Sequence, residues 1–282
     1  MQQFRVNNNN IKLTDYLLQN LPLVSFATLQ KALRNKDIKV NNVRVNSNIT
    51  LSAGDEVQVY GIKPPSVNIV YNDDNIIIAS KPSGIEVVAQ DKPSLAEYII
   101  GQIGEQVYAV HRLDRNTSGL VMLAKNLQAK TQLERCIKSK LITKNYYAVV
   151  VGKPSKSTGT ITLYLSKDAA ASFVKVSDVP RAGYVKAISQ YSLVSTNEIL
   201  SLLDINLITG RTHQIRASFA HIGLPVLGDN KYGNSSINKQ YKVNRQCLVA
   251  YKLLLGGFNG NLSYLNGKEF ILPADKLKSF IN

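Results

Sequence analysis

From about residue 69 onward the chain is a succession of short apolar runs joined directly to one another: "VNIVYND", "IIIASK", "KNYYAVVVGK", "GTITLYL", "VKAISQYSLV" and "ILSLLDINLI". Runs of this length, rich in β-branched and aromatic residues and bounded by polar ones, read as strands. Strands that follow strands with few helices between them need an antiparallel or mixed sheet. The pattern therefore predicts an α+β fold: a mixed, mainly antiparallel β-sheet with flanking helices, not a doubly wound one. "LQAKTQLERCIKSK" is the clearest helix in this part.

Residues 1–61 have a different texture and predict a small helix–helix–hairpin module. "LTDYLLQNL" places Leu13, Leu17 and Leu21 on one helical face, and "SFATLQKALRNK" does the same with Phe26, Leu29 and Leu33, with Ser25 placed to cap it. Asn41-Asn42 separates Ile38/Val40 from Val43/Val45, the pattern of a hairpin. Lys31 and Arg34 lie three apart on the helix face opposite the leucines, a basic face that suits RNA. The run Asn7 to Asn10 is low-complexity and is expected to be disordered. "IKPPSVN", residues 62–68, has two prolines and reads as an extended linker to a second domain, 69–282.

Composition narrows the function. Lys and Arg exceed Asp and Glu by 34 to 19, a net charge of +15, which suits a polyanionic partner such as nucleic acid. No apolar run approaches the roughly 20 residues of a membrane helix, and the start "MQQFRVNNNN" has no secretory pattern; a cytoplasmic protein without membrane contact is expected. Cys136 and Cys247 fit no metal or redox spacing and read as reduced thiols. With three histidines, no metal-ligand pattern and no phosphate-cradling glycine loop, neither a metal nor a nucleotide cofactor is expected.

Two stretches carry more charge than a fold needs. "HRLDRNTS", residues 111–118, joins the apolar runs Val107–Val110 and Leu120–Ala124 with one carboxylate, two arginines and a histidine, and is longer than a tight turn requires. Asp114 between Arg112 and Arg115 is either a solvated ion pair or an acid held ionised for chemistry. "TGRTHQIRASFAHIGLPVLGDNKYG", residues 209–233, follows a strand. Here Thr212 is placed to cap a helix with Ile215, Phe219 and Ile222 as its apolar stripe, ended by Gly223 and Pro225. His213 and Arg216 share a face and Arg211 stands before the first turn; spacing alone does not say whether these cations face water or a carboxylate.

"VHRLDRNTSGLVMLAK" together with "TGRTHQIR" resembles the RluA family of pseudouridine synthases. "IIIASKPSGI", with Lys81-Pro82, is similar to that family's opening motif, "KNYYAVVVGK" to its Lys-x-Tyr-x-Ala strand, and "GLPVLGDNKYG" also fits. The first module resembles the αL RNA-binding module, common in members that act on large-subunit rRNA. The resemblance implies isomerisation of uridine to pseudouridine in structured RNA, with large-subunit rRNA or its precursor as partner, no cofactor, and a monomer. It implies that Asp114 is the catalytic aspartate, Tyr146 the tyrosine against the target base, Arg216 the aspartate's partner, and Arg112 the arginine that holds RNA with its nucleotide flipped. Lys81, Arg211 and His213, with Lys31 and Arg34, complete the expected RNA contacts. The carboxylate either attacks C1′, as in retaining glycosidases, or removes a proton from the sugar. A noncatalytic ribosome-associated RNA-binding protein is the alternative. A glycoside hydrolase needs a second carboxylate, for which Asp229 is the one motif-linked candidate.

Overall fold

The structure, a computed structural model, describes residues 1–90, 92–168, 173–273 and 275–281, apart from the side chain of residue 276. The chain divides into two compact units, Met1–Val67 with Val88–Glu105, and Asn68–Val87 with Gln106–Asn282. The sequence reading keeps 69–282 together; in the structure the stretch Val88–Glu105 groups with the N-terminal residues instead. Its helix, Leu95–Ile103, opens on a capping box in which Ser94 and Glu97 satisfy each other's backbone N–H groups.

In the first unit the helices Leu13–Asn20 and Phe26–Arg34 pack on a four-stranded antiparallel sheet ordered Gln2–Arg5, Glu56–Val59, Ile38–Val40, Val43–Val45. Leu13, Leu17, Leu29 and Leu33 are buried in its core, and Ser25 accepts the Thr28 N–H as the helix cap. Asn41 and Asn42 both take left-handed φ values, 49° and 65°, which a two-residue hairpin turn needs and asparagine tolerates. Two expectations fail here. Phe26 is exposed: it is the first helical residue, beyond the reach of the core that Leu29, Ala32 and Leu33 fill. The Asn7–Asn10 run is ordered, because Asn9 Oδ1 accepts the Ala53 N–H and the Asn10 N–H donates to Leu51 O.

The second unit is built on an eleven-stranded sheet. Its main path runs Phe173–Ser177, Thr158–Asp168, Val185–Thr196, Leu200–Leu207, Thr143–Val151, Leu248–Leu254, Ser118–Ala124, Ile76–Lys81, Asn68–Asn72; Tyr108–Ala109 and Glu269–Ile271 pair on the side. All pairs are antiparallel except Ser118–Ala124 with Leu248–Leu254. The middle strands are covered on both faces, so Ile76–Ala79 and Leu120–Ala124 are fully buried throughout and read as unbroken apolar runs, not alternating ones. The helix Leu127–Lys138 covers part of one face with Ala129, Leu133 and Cys136, its start capped by Asn126. Gly119, at φ 122°, sits where the parallel pair closes: a Cβ there would meet Ala250 backbone atoms at 2.3–2.7 Å. Among the described residues no helix is long and apolar enough to cross a membrane.

Candidate active site

The charged loop between Tyr108–Ala109 and Ser118–Ala124 is pinned from below. Lys81 is wholly buried at the end of its strand, and its Nζ donates to the carbonyls of Arg115 (3.0 Å), Pro82 (3.1 Å) and Ile85 (2.7 Å). Arg115 Nε donates to Gly84 O at 3.0 Å while the Gly84 N–H donates back to Arg115 O, and Ser83 Oγ donates to Asn116 O. Lys81 is therefore corrected from RNA contact to loop anchor: a side chain with no exposed surface and three carbonyl partners has no donor for a phosphate. Burial lowers its pKa to about 8, an effect that the charges of Asp114 and Glu86 oppose. His111 is structural in the same way. Its Nε2 accepts the Met122 N–H at 2.9 Å, and burial with the Lys144 charge drives its pKa down to about 3, so it is neutral.

Asp114 pairs with neither neighbouring arginine. Its Oδ2 accepts from Arg216 Nη1 at 2.9 Å, 102 residues away, and its side chain remains 20% exposed on a cleft of about 560 Å³. Its Oδ1 has no partner among the described residues. Arg216 is held from behind by Asp229, which takes Nε at 2.6 Å and Nη2 at 3.1 Å. The Asp229 side chain is fully buried and its Oδ1 also accepts the N–H groups of Lys231 and Tyr232. Gln246, with its amide oxygen toward Arg216, accepts from Nη2 at 3.0 Å, and the Tyr232 ring lies 5.1 Å from the guanidinium carbon. Such a bidentate buried grip fixes the guanidinium plane and leaves one η nitrogen for Asp114. Arg216 and its hydrogen bonds hold the Asp229 carboxyl below the usual carboxylate range, against the opposing effect of burial. Asp229 thus has both oxygens committed and cannot serve as the second carboxylate of a glycosidase.

The helix carrying Arg216 spans Gln214–His221, and its cap differs from expectation. Thr212 does not cap it. His213 occupies the cap position in a left-handed conformation (φ 52°), and Gln214 organises the turn, accepting from Thr209 Oγ1 and the Arg211 N–H and donating to Ile188 O and Ser189 Oγ. Ile215 and Phe219 are buried; Ile222 is exposed, because the helix ends before it and Gly223 (φ 80°) turns the chain. Tyr232 Oη accepts the Val174 N–H and lies 2.8 Å from His213 Nδ1. The other ring nitrogen, His213 Nε2, stands 4.0 Å from Asp114 Oδ2. Burial is the first cause of the lowered His213 pKa.

Tyr146 lines the cleft with Asp114, Arg112, His213 and Arg216. It is 5% exposed, and burial, then the Asp114 charge, raises its phenol pKa, so it stays protonated. Its neighbour Tyr147 does not line the cleft and stacks instead on Tyr251, centroids 3.8 Å apart. Arg112 and Arg211 are exposed on the cleft; Arg211 Nε donates to Lys186 O. Lys31 and Arg34 are exposed in the first unit and are not among the cleft residues. Sequence reasoning missed the roles of Asp229, Gln214 and Tyr232 at the site. The Asp-Asn-Lys-Tyr order signals an Asx-type turn, but nothing in it names Arg216 as the partner. Among the described residues no group of three His, Cys, Asp or Glu side chains is arranged to hold a metal.

Residues 75–221 match the RNA pseudouridylate synthase family. The chain is 33% identical to "Ribosomal large subunit pseudouridine synthase C" of Rickettsia bellii, covering 96% of each protein. It is 30% identical to an uncharacterized RNA pseudouridine synthase of Mycoplasma capricolum, covering 98% of each. In fold it is similar to human RNA pseudouridylate synthase domain containing 1, with TM-score 0.59 at 21% identity over 78% of this chain and 97% of the other. Human RNA pseudouridylate synthase domain containing 4 aligns with TM-score 0.58 at 23% identity, over 73% and 88%.

Proposed function

We infer that this chain, which belongs to the RNA pseudouridylate synthase family and isomerises uridine to pseudouridine in RNA, does so with Asp114 as the catalytic carboxylate, on a target in large-subunit ribosomal RNA. The observation that carries the assignment is the division of Arg216: two nitrogens held by buried Asp229, one on Asp114 Oδ2, with Asp114 Oδ1 left open to the cleft. A guanidinium fixed from behind sets the orientation of the Asp114 carboxylate without blocking the reactive oxygen.

The reaction breaks N1–C1′, turns the uracil within the closed site and joins C5 to C1′; the C5 proton is lost and N1 gains one, so the product is an isomer. Asp114 Oδ1 acts on the ribose, either by attack at C1′ or by removing a sugar proton. His213 Nε2, 4.0 Å from Asp114 Oδ2, is placed to hold a sugar oxygen. The nucleotide must first leave its stack, at a cost of a few kcal/mol. Tyr146 returns roughly 1–3 kcal/mol by stacking on the base, and exposed Arg112 occupies the space the base vacates. No redox change or group donor is needed.

Residues 1–61 form an accessory RNA anchor in this reading, through exposed Lys31 and Arg34, ahead of the catalytic domain expected at 69–282. In this reading the protein acts as a monomer in the cytoplasm. The name of the Rickettsia bellii relative supports the large-subunit target. The test is a pseudouridine map of ribosomal and transfer RNA from cells with and without the gene. Loss of one or more large-subunit pseudouridines is expected; loss confined to transfer RNA overturns the target, and an unchanged map overturns the reading.

A further inference from the structure

Lys144 has no part in the chemistry just described, yet it lines the same cleft. It lies two residues before Tyr146 on the strand Thr143–Val151, about 7 Å along the chain at ordinary strand rise. Its side chain is partly buried, and burial lowers its pKa with no charged group opposing the shift. Among the described residues it has no hydrogen bond or ion pair. Its Nζ stands over Gly210, 3.6 Å from where a Cβ would sit. The one carboxylate lining the cleft, Asp114, already holds Arg216. A partly desolvated cation without a partner costs stability, and Lys81, which is buried too, shows the alternative: three carbonyls around its ammonium. Beyond Lys144 the same wall continues through Lys140 and Lys138, both exposed and lining the cleft.

We propose that this wall is the track for the RNA backbone on one side of the target nucleotide, with Lys144 as its innermost grip on a flanking phosphate. The proposal rests on Asp114 marking the position of the target sugar. A uridine stacked on Tyr146 has its phosphate one sugar away, on the scale of the two-residue offset to Lys144. A phosphate also supplies the negative charge that the ammonium lacks in the free protein, and lysine serves phosphate as a point charge. Uracil carbonyls offer no net charge and would leave the cation uncompensated.

The test compares full-length wild type, Lys144→Met and Lys144→Arg for affinity to one RNA substrate, and to copies bearing a single methylphosphonate linkage at each position around the target uridine. Lys144→Met is expected to raise Kd about tenfold and to lower the salt slope of log Kd by about one, with Lys144→Arg restoring both. One neutral linkage next to the target is expected to weaken wild type by a similar factor and leave Lys144→Met indifferent. The Met variant is expected to melt no lower than wild type, since it removes an unpaired, partly buried charge. Equal sensitivity of wild type and Lys144→Met to every neutral linkage overturns the proposal, as does a loss confined to turnover at saturating RNA with affinity intact. Failure of the catalytic reading shows separately, as an Asp114→Asn variant that still makes pseudouridine.

Discussion

At the scale of single residues the site is a chain of fixed charges: Asp229 holds Arg216, and Arg216 holds Asp114. Removing the middle member strands a carboxylate with no solvent access. Arg216→Met is therefore expected to destabilise the fold by about 3–5 kcal/mol, seen as a lowered urea midpoint, beyond its loss of activity. Arg216→Lys keeps a charge and is expected to recover part of the stability while losing the bidentate grip. His111 makes a second residue-scale prediction. Its folded pKa, about 3, lies below the ordinary 6.5, so below pH about 6.5 the unfolded chain takes a proton that the folded chain refuses. Stability is fully present above that pH and falls as pH drops from 6.5 toward 3. His111→Gln keeps an acceptor for the Met122 N–H, and denaturant melts at pH 7 and pH 5 are expected to differ less for it than for wild type. An equal difference in both proteins would assign the acid loss to other groups.

At the scale of elements, what could be read from the sequence was what local chemistry dictates. The strands, the Leu127–Lys138 helix, the Asn41-Asn42 turn and the Ser25 cap each follow from side chains within a few residues. What escaped were partners far along the chain. Thr212 has the right chemistry for a cap, but Gln214 reaches strand Val185–Thr196 and takes over the turn. Lys81 reads as a basic residue at a strand end and becomes an anchor because the loop folds over it. The motifs marked Asp114, Tyr146 and Arg216 through family resemblance; the residues that hold them in place were not legible from spacing. Gly119 belongs to this scale. Its φ of 122° and its approach to the Ala250 backbone leave no room for a methyl group, in the strand that follows the Asp114 loop. Gly119→Ala is expected to cost about 1–3 kcal/mol or more by overpacking and strain. It should also lower activity at temperatures where the variant remains folded, as measured by melting and single-turnover assays on the same preparation.

For the whole molecule, charge is the property through which the first unit is proposed to bind the same RNA as the second. Most of the net charge of +15 lies in the second unit, where Arg112, Lys138, Lys140 and Arg211 are exposed on the cleft, while the first unit carries exposed Lys31 and Arg34. Deleting residues 1–61 is a poor test of the anchor, because Val88–Glu105 groups with them and would lose its packing. Lys31→Glu with Arg34→Glu, in the full chain, removes the charge and keeps the fold. This variant is expected to weaken RNA binding and flatten its salt dependence. An affinity and salt slope equal to wild type would show that this helix face does not touch RNA.

The central claim is that Asp114 performs the chemistry while the remainder of the cleft binds and orients. Its most direct test is single-turnover pseudouridine formation by Asp114→Asn on saturating RNA, with affinity measured separately. Asparagine keeps the size of the side chain and an acceptor for Arg216 but removes the charge. The predicted result is no detectable pseudouridine with RNA affinity equal to or tighter than wild type, since a negative charge near phosphates is gone. Conversion at near wild-type rate would contradict the assignment and return the Asp114–Arg216 pair to a structural role.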